Sequence, residues 1–157
     1  MKMAKPMTRD EAMLKMAGLC ARSEQCAFDI ARKLRAKGFS SDVTRSIIEE
    51  LTERRFIDHR RFAAAFARDK VRFSAWGKMK IRAALMARRI PENLITEAFG
   101  EISSEDYEAA AMRSARSAAA SLDLAEYADR VKLFRSMMSR GFEPDAVNKA
   151  IRKLRGG

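Results

Sequence analysis

The sequence predicts an all-α fold: three tandem three-helix repeats stacked into an elongated, curved, crescent-like array. Three observations predict it. Apolar residues recur at helical spacing, as in Val43, Ile47, Ile48 and Leu51, or Ile81 and Leu85. The punctuation between helices repeats with a period of about 51 residues. No Asn-Gly or Asp-Gly hairpin dipeptide occurs. Each repeat packs mainly on its sequence neighbour in such an array, which is why it extends and curves. A single nine-helix globule is the alternative architecture.

The repeat is visible when residues 34–43, 85–94 and 137–146 are set above one another. Each holds a basic residue in a last helical turn (Lys37, Arg88, Arg140), a turn, an apolar anchor (Phe39, Ile90, Phe142) and a new helix start. A cation there favours the negative end of the helix dipole. Gly38 and Gly141 supply the left-handed backbone that closes a helix. Arg89 stands in their place in the middle copy, and the same backbone would cost it on the order of 1 kcal/mol. Ser40 or Ser41 caps the next helix, and Pro91 and Pro144 suit a first helical turn.

The first repeat, 10–57, follows a flexible tail, 1–9, and has helices near 10–22, 23–37 and 41–54. The second, 58–102, has helices near 59–72, 77–88 and 91–102, with Asp58 as the first cap. The third, 103–157, has helices near 104–119, 124–140 and 144–154.

Composition narrows the function. Lys and Arg total 32 against 21 Asp and Glu, a net charge of +11, which suits an anionic partner. No uncharged stretch exceeds six residues, too short to span a bilayer, and no signal-peptide pattern follows the first basic residues; the expected location is the cytoplasm. Cys20 and Cys26 are expected as reduced, buried thiols. The single histidine, His59, has no triad or metal partner by spacing, and no glycine-rich phosphate loop is present. The chain reads as a binder, not an enzyme, with no cofactor and no metal.

Residues 1–57, 58–102 and 103–157 carry net charges of +4, +5 and +2 in order. The densest basic run spans Arg68, Lys70, Arg72, Lys78, Lys80, Arg82, Arg88 and Arg89, against Asp69 alone, with Phe73 and Trp76 inside it. Cations interleaved with aromatics suit phosphate contact combined with stacking. These residues, Trp76 included, are the candidate partner- or DNA-binding set. A solvated helix face is the competing reading of the charges, and a half-buried interhelical corner that of Trp76.

The central segment, with Phe56, Asp58, Arg61, Phe62 and Ala63 and then Gly77, Lys78, Ile81 and Leu85, resembles the RecX family. The Lys37-Gly38-Phe39 and Arg140-Gly141-Phe142 turns are similar to that family's helix stops, while Arg89 departs from the glycine usual there. The resemblance covers nearly the whole chain from about residue 10. It implies three three-helix units in a crescent, bound to the RecA recombinase filament on single-stranded DNA. It further implies inhibition of filament growth, ATP hydrolysis, strand exchange and co-protease activity, with direct DNA contact in some members, single-stranded and also double-stranded. A monomer is expected, with Arg72, Lys78, Lys80 and Arg82 foremost in the contact.

Overall fold

The computed structural model describes residues 5–156. Among them are nine helices and no strand: α1 (Arg9–Arg22), α2 (Ala27–Ala36), α3 (Ser41–Glu53), α4 (His59–Ser74), α5 (Lys78–Ala87), α6 (Glu92–Gly100), α7 (Ser104–Ala119), α8 (Tyr127–Ser139) and α9 (Pro144–Leu154). They follow one another as three sets of three. By spatial compactness the chain divides in two instead, into residues 1–62 and 63–157, with the division inside α4.

Helix starts follow from local chemistry. Thr8, Ser40 and Ser103 accept the backbone N–H of Glu11, Val43 and Asp106, closing the first turns of α1, α3 and α7. Asp58 accepts from Arg61 N at 3.0 Å in the same way for α4, and that bond holds its carboxyl below the usual range. Pro144 occupies the first turn of α9, whereas Pro91 lies one step earlier, at the N-cap of α6. Two second helices begin later than periodicity suggests: α2 at Ala27 and α8 at Tyr127, each after a non-helical approach. Thr8 caps a first helix that begins at Arg9, one residue before its expected start; residues 1–4 of the expected tail lie outside the described residues, as does Gly157.

The three aligned stops share one hydrogen-bond pattern. Phe39 N donates to Leu34 O, Ile90 N to Leu85 O and Phe142 N to Met137 O, while the residue before each anchor donates to the carbonyl three back. This is the Schellman arrangement, and it needs a left-handed residue before the anchor. Gly38 has φ 92°, Gly141 has φ 96° and Arg89 has φ 60°. The middle copy therefore keeps the backbone without the glycine. Arg55, at φ 61°, ends α3 by the same bonds, with Phe56 N on Leu51 O at 2.8 Å.

In the unit of residues 1–62, Met16, Ile30, Leu34, Ile47 and Leu51 from α1–α3 are fully buried together, with Ile57 closing the cluster. Cys26 is buried there, but Cys20 is only half-buried; neither forms a disulfide, and burial pushes the Cys20 thiol up. In the unit of residues 63–157 the buried set runs through Ala67, Val71, Ile81, Leu85, Ile95, Leu133, Met137 and Phe142.

A second kind of joint recurs between consecutive repeats. The N-terminus of α2 is capped by His59 of α4, whose Nε2 accepts from Ala27 N at 3.2 Å. The N-terminus of α5 is capped by Tyr107 of α7, whose hydroxyl accepts from Lys78 N at 2.9 Å and donates to Glu143 at 2.8 Å. Each bond satisfies one of the orphan donors of a helix start from the first helix of the following repeat. At α5 the joint is tighter still: Gly77 N donates to Arg140 O and Met79 N to Gly141 O, at 2.8 and 2.9 Å. A Cβ on Gly77 would lie 2.2 Å from Gly141 C, so only glycine allows this contact.

A basic and aromatic cluster on α4 and α5

The nine candidate residues run from Arg68, in the second half of α4, to Arg89, two residues past the end of α5, and the fold sorts them into separate groups. After α4, Ala75 takes φ 51° and Trp76 N reaches back to Lys70 O at 3.0 Å. This turn lays the half-buried Trp76 against Phe66, with ring centroids 6.4 Å apart and an edge-on angle of 71°. Lys70 Nζ sits 4.6 Å from the Trp76 centroid and 5.4 Å from that of Phe66. Lys80 Nζ lies 4.4 Å from Trp76, and the Arg88 guanidinium 5.2 Å from Phe66. Lys70, Trp76, Lys80 and Arg88 thus form one cluster, with Phe66 as its hidden fifth member. Lys70 and Lys80 have no carboxylate partner among the described residues, so their charge is held by ring faces and solvent.

The remaining candidates sit elsewhere. Lys78 and Arg82, one helical turn apart, face another side of α5: Lys78 Nζ lies 4.6 Å over Tyr107, and Arg82 lies 5.3 Å over Phe99 and pairs with Glu92. Arg68 and Arg72 line a small hollow with Glu101 and Asp106. Arg72 pairs with Asp106 at 3.3 Å and Arg68 with Asp69 at 3.7 Å, so that side is partly neutralised. Arg89 is exposed at its left-handed stop.

Sequence reasoning passed over Phe66, which reads as a core position beside Phe62, and Tyr107, which bears no mark of its capping role. It also passed over the cleft of about 320 Å³ where Lys78 and Tyr107 meet α9. There Lys149 and Lys153 both hydrogen-bond Glu108 and lower its carboxyl pKa. Spacing does carry the signal for that pair, since 149 and 153 share a helix face.

His59 and Tyr107 are both engaged in structure. His59 is a cap acceptor, kept neutral by burial, which lowers its pKa. The Tyr107 hydroxyl is pushed up, chiefly by burial. No group of three or more His, Cys, Asp or Glu side chains is placed to hold a metal among the described residues. No helix among them is long and apolar enough to cross a membrane.

Comparison with known proteins bears on the family and the fold. The family model described as "RecX, second three-helix domain" matches residues 58–98, the segment that carries the cluster. Regulatory protein RecX of Pelodictyon phaeoclathratiforme is 32% identical over 142 residues, covering 90% of this chain and 85% of the relative. Regulatory protein RecX of Clostridium perfringens (strain SM101 / Type A) is 30% identical over 129 residues, covering 80% of this chain. The match spans only 60% of the length of that protein and of its counterpart in strain 13. The crystal structure of RecX from Lactobacillus salivarius shares the fold, with a TM-score of 0.76 at 18% identity over 95% of this chain and 97% of that one. With a relative matched over most of both chains and the family's second domain falling on α4–α6, the chain belongs to the RecX family of regulatory proteins.

Proposed function

We propose that the protein is a RecX-type regulator that docks on the RecA filament assembled on single-stranded DNA. In this reading it inhibits RecA ATP hydrolysis, strand exchange and co-protease activity, and so acts on DNA repair, recombination and the SOS response. It acts in the cytoplasm as a monomer, without cofactor and without catalysing a reaction. Family membership supports the reading, and the single structural observation that carries it is the cluster of Lys70, Trp76, Lys80 and Arg88 around Phe66. Two uncompensated ammonium groups beside aromatic faces suit an anionic surface, whether DNA phosphate or acidic subunit side chains.

The test is a titration of the purified chain into RecA hydrolysing ATP on single-stranded DNA. Hydrolysis and strand exchange should fall at near-stoichiometric amounts; unchanged rates would overturn the reading.

The aromatic pair also favours a second reading, a helical-repeat protein that binds nucleic acid without RecA. It requires tight binding to naked DNA that weakens steeply with salt as counterions are displaced. Binding that needs the recombinase rules it out.

A further inference from the structure

The third repeat carries a basic groove of its own, between α8 and α9. Helical spacing turns Tyr127, Arg130, Phe134 and Arg135 to one side of α8, and Asn148 and Arg155 to the facing side of α9. The groove is about 560 Å³, within the range of small-ligand sites, and none of its lining residues is acidic. Arg135 and Arg155 are exposed and have no carboxylate partner among the described residues. Arg130 is held in place, donating to Leu124 O at 2.8 Å and Ala125 O at 2.9 Å, with its guanidinium 5.8 Å from the Tyr127 ring. Tyr127 itself is 74% exposed, so much of the ring is open to a planar group. Of the two carboxylates at the start of α8, Asp129 is engaged by Asp123 N and Lys132, and Glu126, the exposed N-cap next to Tyr127, is not among the residues that line the groove.

Three guanidinium groups, an open aromatic ring and an amide, with no acid among them, fit a polyanion that also carries flat bases. We propose that this groove is a second, separate contact for single-stranded nucleic acid. Arg135 and Arg155 hold successive phosphates, a base stacks on Tyr127, and Asn148 meets the base edge or sugar. An acidic peptide would satisfy the arginines but leave the ring unused. The inference goes beyond the RecA reading and does not depend on it.

Fluorescence anisotropy of a labelled oligo(dT) with the full chain tests it without RecA, both in the wild type and in a Lys70→Gln/Lys80→Gln background. Arg135→Gln/Arg155→Gln should weaken binding about tenfold and lower the slope of log K against log salt by roughly 1.4, two single-strand phosphates' worth. Tyr127→Ala should lose roughly fivefold or more, as expected for one stacked base, and Tyr127→Phe should restore it. Circular dichroism checks that each variant remains helical, and the exposed positions make that the expected result. Unchanged affinity and slope in the double arginine variant would overturn the proposal. So would equal behaviour of Tyr127→Ala and Tyr127→Phe, or poly-glutamate binding as tightly as oligo(dT).

Discussion

Arg89 shows how one side chain can occupy a glycine's place. Its φ of 60° is imposed by the hydrogen bonds of the α5 stop, which hold Ile90 against Leu85. The left-handed backbone costs a side-chain-bearing residue about 1–2 kcal/mol, so Arg89→Gly should raise stability by about 1 kcal/mol after glycine's greater freedom in the unfolded chain is counted. A denaturant midpoint that falls would contradict this. Gly77 makes the opposite case: its φ is ordinary, but its missing Cβ admits the Gly141–Phe142 backbone. Gly77→Ala should cost at least 1–3 kcal/mol, as overpacking does. Gly100→Ala, with nothing within 4 Å, should be neutral or stabilising by about 0.5–1 kcal/mol. Equal effects of the two substitutions on thermal unfolding would sink the close-contact explanation. The caps and stops were readable from sequence because donor, acceptor and glycine lie within six residues. The role of Gly77 was not, since the atoms that demand glycine are 64 residues away.

At the scale of the helix, the first helix of one repeat caps the second helix of the repeat before it. His59 and Tyr107 do this with different chemistry, and only the histidine can titrate near neutrality. An Nε2 that accepts from Ala27 N must be unprotonated, and burial already lowers the imidazole pKa below its usual 6.5. The unfolded chain then takes up more protons than the folded one as pH drops through about 6.5 toward the folded value. Stability from this cap is therefore complete above the unfolded pKa and lost as the solution acidifies. Because His59 is the sole histidine, its proton NMR titration is unambiguous. A pKa at or above 6.5, or unfolding stability that does not decline between pH 7.5 and 5.5 relative to His59→Gln, would refute the cap. Helix periodicity predicted both elements of this joint but not the bond, since α2 was expected to start at Ser23 and its true start leaves a different N–H exposed.

Across the whole molecule, net charge per repeat proved a coarse guide. The third repeat's +2 averages over Glu108 with its two lysines and an arginine groove free of acids, so the excess is locally greater than its sum. In the middle repeat the basic run was legible, and so was the facing of Lys78 with Arg82 by their spacing. The cluster around Phe66 was not, because it depends on the left-handed turn at Ala75 that folds Trp76 back. That turn yields the last prediction. If the filament is gripped by Lys70 and Lys80, Lys70→Glu/Lys80→Glu should abolish inhibition of RecA ATP hydrolysis or raise the half-inhibiting concentration at least tenfold. Arg68→Glu/Arg72→Glu alters a side already shared with Asp106 and Glu101 and should change it less than threefold. Arg68, Arg72 and Lys80 are exposed and Lys70 is half-buried beside Phe66 and Trp76, so circular dichroism of both variants accompanies the assay. The reverse order of effects would move the RecA contact to the Arg68 and Arg72 side; equal loss in both would mean that overall charge, not the cluster, draws the protein to the filament.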